Sequence, residues 1–308
     1  MSEPSSALEA LARSRHFCVT SEVVPPRSGS PEPVERQARE LVGYADAVNV
    51  TDNPTASAHM SPVAASGIVA RAGVEPTLQL TVRDRNRLAI SGDLLGAWAL
   101  GARNVLCLTG DPLSIGDDPD AAFVGDMGVP DLISLVANLR RDGRLPSGAE
   151  VSDPPRYFIG VADSPVVERY DPARLETKLD AGGAFVMTQI AYDVDRLAAW
   201  ADVVRPRGVF ERAVVLVGVA PLRSAKQARY MNRHLPGVHV PEGLLRALDG
   251  AGPEAEALGT AQCVEVVTAL REIPGIAGVH VMGLGREEVV RHVIEGAGLL
   301  PRPPSASA

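Results

Sequence analysis

The residue in this chain best suited to chemistry is Glu22. It lies in the segment CVTSEVVPP, with apolar side chains on both sides. A carboxylate among such neighbours is costly to ionise, so its pKa is expected to rise. An acid that keeps its proton near neutral pH can act as a general acid. Pro25 and Pro26 stiffen the chain behind it. The competing reading is a strand-end acid paired with an arginine. Asp111 follows Gly110, where backbone can approach a ligand closely beside a carboxylate; the alternative is a turn residue capping the next segment. Gln189 ends the apolar run AFVMTQ and offers an uncharged donor and acceptor, suited to a heterocycle edge or to a satisfied core position. Arg286 follows a Gly-Leu-Gly turn, placed to meet a carboxylate or phosphate or to remain solvated. His59 reads as packed or exposed, and no His, Asp or Glu spacing predicts a metal site.

These residues act together only if the fold gathers them. Short β-branched runs recur at 17–23, 47–51, 77–82, 104–109, 157–161, 184–188, 213–217 and 279–282, each followed by a helical pattern. Among the helices, the spacing predicts one over 56–71 and one over 86–99, with Asp84 as the cap of the latter and Asp193 capping a helix over 195–204. The strands are almost continuously apolar, as strands covered on both faces are. Eight strands alternating with helices predict an α/β fold, a single-domain (β/α)8 TIM barrel, in which the C-terminal strand ends converge on one mouth. Glu22, Thr51, Gln79, Thr109, Gly110, Asp111, Ser164 and Gln189 all fall at such ends. An open doubly wound sheet is the alternative, but Val24-Pro25-Pro26-Arg27 cannot form its glycine-rich phosphate loop. The expected boundaries are an N-terminal extension over 1–14, the barrel over 15–300, and a disordered low-complexity tail, PRPPSASA, over 301–308.

Composition narrows the function classes. Hydrophobic residues are 45% of the 308 but aromatics only 4%, so the core must be aliphatic. A net charge of −8 argues against a protein that tracks nucleic-acid phosphates. Cys18, Cys107 and Cys263 are far apart in apolar runs and predict buried reduced thiols. No apolar stretch approaches the roughly 18 residues of a membrane span, and the N-terminus lacks a basic segment followed by an apolar one. A cytoplasmic protein is expected. Lys178 and Lys226 are the only lysines among 30 cationic residues, so each is a candidate for a role arginine cannot fill.

Several segments, in order, resemble the methylenetetrahydrofolate reductase family: SEVVPPR, ADAVNVTDN, LQLTVRDRN, NVLCLTGDP, LETKLDAGGAFVMTQIAYD and MGLGR. The likeness runs over about 17–300, and LTGDP and DAGGAFVMTQ weigh most in it. It implies a barrel that binds methylenetetrahydrofolate and reduces it to methyltetrahydrofolate, in the one-carbon chemistry that serves methionine biosynthesis. NADH or NADPH would be the hydride donor. The implied cofactor is a flavin, FAD, with FMN or no flavin as alternatives. Glu22 stands at the position of the family's acid and Asp111 at that of a carboxylate facing substrate and cofactor. Asp111, Gln189, Gln227, Met231 and Arg286 fall on folate-contact positions. Thr51, Gln79, Leu108, Thr109, Gly110, Asp111, Ala162, Ser164, Asp171, Arg174 and Lys178 fall on flavin-contact positions. The sequence departs from the family's pattern mainly on the flavin side: Gln79 replaces a histidine, Thr109 an arginine, Ser164 a tyrosine, Glu168 a histidine and Thr177 an arginine. A flavin-free or non-catalytic folate-binding barrel, partnering a methyltransferase or electron-transfer complex, is the alternative function. The resemblance also leaves room for a homo-oligomer or a partner subunit.

Overall fold

The structure is a computed structural model that describes residues 3–303. Eight parallel strands close into a barrel in sequence order: β1 (Cys18–Val23), β2 (Ala47–Val50), β3 (Pro76–Thr81), β4 (Asn104–Leu108), β5 (Phe158–Asp163), β6 (Phe185–Ile190), β7 (Val214–Val219) and β8 (Ile276–Val281). Closure is made by β1 against β8, with Thr20 opposite His280. One helix, α1 (Ala7–Arg13), precedes the barrel. Around it lie α2 (Glu32–Leu41), α3 (Pro62–Arg71), α4 (Arg87–Ala99), α5 (Val129–Asp142), α6 (Pro172–Asp180) and α7 (Val194–Val204). They are followed by α8 (Val209–Arg212), α9 (Ala225–His234), α10 (Glu242–Ala251), α11 (Ala255–Leu270) and α12 (Glu287–Gly296).

The outer layer forms for the reason the pattern gave. In α2, Val34, Ala38 and Leu41 are buried at four- and three-residue spacing, one stripe against the strands. The helix expected from residue 56 begins instead at Pro62, whose fixed φ suits the first helical position. Ahead of it, Pro54–Ala56 form a single 3-10 turn. Asp84 does not cap α4. Asn86 does, its side chain accepting the Ala89 N–H at 3.0 Å, while Asp84 is drawn to the Arg83 guanidinium at 2.6 Å. Asp193 caps α7 as expected, accepting the Arg196 N–H at 3.0 Å.

The bottom of the barrel holds a difference from the sequence reading. Residues 1–14 read as an extension, yet α1 closes the barrel floor. Leu8 and Leu11 pack with Cys18, Leu106, Phe158, Phe185, Met187 and Leu216. The Glu75 carboxylate caps α1 by accepting the N–H groups of Ala7 and Leu8 at 2.7 and 3.1 Å. Glu9, buried, is held by Arg13 and Arg140 at 2.6 and 2.7 Å. The expected tail also begins anchored: Arg302 donates to Asp46 at 2.6 Å and to the Phe17 carbonyl at 2.9 Å. Residues 304–308 of that tail lie outside the described residues. All three cysteines are buried and free. Among the described residues no helix is long and apolar enough to cross a membrane.

Candidate active site

Strand alternation decides which side chains face into the barrel. The Asn49 amide reaches Met187 on β6 at 3.0 Å, so Asn49 points inward. Glu22 is its register partner on β1 and shares that face; Thr51, two residues on, follows it. Leu106 belongs to the interior cluster, and Gln79 is its register partner on β3. Leu108 and Ala162 follow by the same rule, Ala162 as the partner of inward-facing Met187. Glu22, Thr51, Gln79, Leu108 and Ala162 therefore line one mouth; the strand-end reading places the first three there, and the resemblance singles out Leu108 and Ala162.

Glu22 is 12% exposed, and burial pushes its pKa up to about 7, with the Glu287 carboxylate adding to the rise. Among the described residues it is not paired with an arginine. Its nearest basic neighbour is His280 on β8, with Nε2 3.9 Å from Glu22 Oε2. Burial pushes that imidazole down to about 3, so it is neutral and the pair is not a salt bridge. His280 is a residue the sequence reading missed. Its only signal was a lone histidine in the apolar run IAGVHVMG.

Asp111 sits on the same rim, exposed at the end of β4. Its carboxylate accepts the Thr55 N–H at 2.7 Å and its carbonyl accepts Arg83 Nη1 at 3.1 Å. Arg83, which is 3% exposed, anchors this corner through Asp84. Gly110 has φ +90, and a Cβ there would lie 3.1 Å from Arg83 Cβ, so the turn into Asp111 needs glycine. Asp52 is structural: it accepts the Thr81 N–H at 2.8 Å and the Arg85 guanidinium at 2.7 and 3.0 Å.

Beside the mouth opens a cleft of about 640 Å³ between β4, β5 and α6. Leu108, Thr109, Ala162, Ser164, Asp171, Arg174 and Lys178 all line it. Thr51, Gln79, Gly110 and Asp111 lie at the mouth rather than on its wall. Lys178 Nζ donates to the Ala162 carbonyl at 2.5 Å; burial lowers its pKa and the nearby Asp163 carboxylate opposes that fall. Tyr170 holds Asp163 at 2.8 Å. Asp171 caps α6 by accepting the Ala173 N–H at 3.1 Å. Gln189 is not on this wall; it donates to the carbonyl of Pro236, which is, at 3.1 Å. Gln227 and Arg286 share a second, smaller depression with Glu256 and Gly283. There Arg286 is paired to Glu256 and, at 2.8 Å, to Glu288. Met231 stands apart from both, only 2% exposed, in a satellite core with Tyr192.

The sequence model of the methylenetetrahydrofolate reductase family matches residues 7–298. The chain belongs to that family. Methylenetetrahydrofolate reductase 1 of Schizosaccharomyces pombe is 28% identical over 237 residues, covering 74% of this chain and 36% of its own length. A probable methylenetetrahydrofolate reductase (NADPH) of Caenorhabditis elegans is 23% identical over 310 residues, covering 95% of this chain and 44% of its own. The chain thus spans less than half the length of these methylenetetrahydrofolate reductases. A Clostridium thermocellum protein solved with two copies of 5-methyl-5,6,7,8-tetrahydrofolic acid shares the fold, with TM-score 0.64, 13% identity, and coverage of 96% of this chain and 100% of its own.

Proposed function

We propose that this protein reduces 5,10-methylenetetrahydrofolate to 5-methyltetrahydrofolate, with NADH or NADPH as the hydride source. One observation carries the reading: Glu22 is an inward-facing carboxyl at the barrel mouth whose burial brings its pKa to about 7. The reaction needs such an acid. Protonating the substrate's N10 releases it from the bridging carbon, which becomes an electrophilic iminium with N5; hydride delivered to that carbon completes the methyl group. Glu22 donates the proton and is left as the carboxylate, to be reloaded from solvent. Asp111 stabilises the iminium charge. Gln189 meets the pterin edge. Gln227 and Arg286 receive the aminobenzoyl-glutamate end, with Arg286 exchanging a glutamate partner for the substrate's carboxylate.

The cleft is proposed as the seat of the hydride carrier. Its cations suit a dinucleotide, Lys178 and Arg174 for the phosphates, and at the adjoining mouth Thr51 Oγ1, a buried hydroxyl without a hydrogen-bond partner among the described residues, can meet a ring edge. A flavin, FAD by resemblance, would supply hydride chemistry there by accepting hydride from NAD(P)H and passing it on. One observation favours a second, flavin-free reading, with NAD(P)H in the cleft itself: Thr109, Ser164 and Thr177, where the family pattern has larger side chains, all line this wall.

The test is an absorbance spectrum of the purified protein before and after NADH, with turnover of methylenetetrahydrofolate followed in parallel. Flavin bands that bleach support the mediated route. A colourless protein that turns over supports direct transfer. No turnover with either nucleotide, with or without added FAD, removes the proposal.

A further inference from the structure

Four groups form a directed line across the seam between β1 and β8. The Thr20 hydroxyl lies 3.3 Å from the Val279 carbonyl and 3.0 Å from His280 Nδ1. His280 Nε2 lies 3.9 Å from Glu22 Oε2. Thr20 and His280 are fully or almost fully buried, so water does not set the direction of these bonds. A carbonyl only accepts. With the Thr20 proton given to Val279, the hydroxyl's lone pairs face His280 Nδ1, which must then carry the ring's proton. That leaves Nε2 as a bare lone pair aimed at Glu22.

We propose that His280 is a positioning residue for Glu22: its unprotonated Nε2 accepts a hydrogen bond from the carboxylic acid and has nothing to offer the carboxylate. The distance of 3.9 Å is longer than a made hydrogen bond, and a modest rotation of the Glu22 side chain closes it. Two consequences follow. The acid form of Glu22 is favoured over the charged form, and its hydroxyl has a defined resting direction against the barrel wall until a better acceptor, the substrate nitrogen, enters. Among the described residues, other charges also bear on Glu22. Glu287, at the start of α12, acts in the same direction; it is itself gathered with Glu40 of α2 and Glu288 and offset by Arg36. Asn49, from β2, is the uncharged partner on the other side. Repulsion by Glu287 is the same with and without the imidazole and cancels when the two are compared, whereas the contact with Nε2 does not. The two influences on Glu22 are therefore separable.

This inference rests on the proposed function only for its catalytic meaning, so its test reads protonation rather than turnover. The Glu22 carbonyl stretch is isolated as the infrared difference between the wild type and Glu22→Gln, and titrated between pH 5 and 9 at high salt. In His280→Asn, whose amide nitrogen keeps the donor to Thr20 and deletes Nε2, the midpoint is expected to fall by about one unit, a tenfold change in the ionisation constant. An unchanged or raised midpoint overturns the proposal. Should the variant fail to fold, nitrogen-15 spectra of the wild-type imidazole decide alone: protonation at Nδ1 supports the proposal and protonation at Nε2 overturns it. A protein inactive on folate that still shows the shifted midpoint refutes the function and leaves this pair standing.

Discussion

The Asp111 carboxylate accepts the backbone N–H of Thr55 at 2.7 Å, across the gap between the β4 and β2 loops. Thr55 lies in a segment where Asn53, Thr55 and Ala56 all have positive φ, a conformation that costs non-glycine residues on the order of 1 kcal/mol or more each. Asp111 thus has an observed role, holding this strained loop, to separate from the proposed one of offering charge to the substrate. Asp111→Asn keeps an acceptor for the Thr55 N–H and removes the charge. Its melting temperature is expected to stay within a degree or two of wild type while turnover falls about a hundredfold. Asp111→Ala loses both, and is expected to lose about 1–2 kcal/mol of stability as well. Calorimetry beside steady-state rates checks the split; equal rates for wild type and Asp111→Asn would leave Asp111 with the loop alone.

Glu22 gives a pH signature. If its protonated form does the work, the rate falls as pH rises through about 7. Stability follows the same group. Its folded pKa lies above the ordinary carboxyl value of 4.5, so the folded state binds this proton more tightly than the unfolded one. The stability this contributes is full below pH 4.5 and is lost as pH rises through about 7. Glu22→Gln, which cannot ionise, is expected to match the wild type near pH 4.5 and to exceed it at pH 8 by on the order of 2–3 kcal/mol. Urea unfolding at the two pH values measures this. A variant less stable at pH 8 would mean that the carboxylate is held by a partner and that burial does not dominate.

The barrel was legible because it is written in continuous apolar strands: all eight runs became strands, with ends moved by a few residues. Of the positions the resemblance singled out on the flavin side, Leu108, Thr109, Ala162, Ser164, Asp171, Arg174 and Lys178 line one cleft, reached from β4, β5 and α6. What escaped depended on contacts between distant residues. Nothing local marks Ala7–Arg13 as a floor; its cap, Glu75, is 68 residues away from Ala7. Asp84 had the right type and place to cap α4, but the adjacent Arg83 guanidinium took its carboxylate. His280 reads as a core histidine until the closure of β8 on β1 sets it beside Glu22.

Lys178 tests the proposal that the cleft seats the hydride carrier. Its ammonium donates to the Ala162 carbonyl at 2.5 Å beside Asp163, half-buried, so its position is fixed before a ligand arrives. Lys178→Met is expected to weaken nucleotide binding about tenfold, the worth of one charge-assisted hydrogen bond. Lys178→Arg should not restore it, because a planar fork cannot occupy a site shaped for a point donor. Titration calorimetry with NADH, and with FAD separately, identifies which ligand the lysine serves. Unchanged affinity for both would place the carrier elsewhere.

The barrel floor sets a limit on what the interior tolerates. The rings of Phe158 and Phe185 pack tilted by 34° with centroids 4.9 Å apart, and the space they need is supplied by Gly160, where an added Cβ would lie 2.2 Å from Phe185 Cζ. Gly160→Ala forces the ring off its position in a closed cylinder that cannot widen locally. It is expected to destabilise the fold by about 1–3 kcal/mol. Phe185→Leu removes the ring that clashes but leaves unfilled space, and alone should also destabilise. Made together, the two changes should cost less than their sum, since the new methyl occupies part of the space the ring vacated. Denaturant unfolding of the three variants measures the coupling. Strict additivity would show that the backbone at Gly160, rather than the ring above it, is what requires glycine.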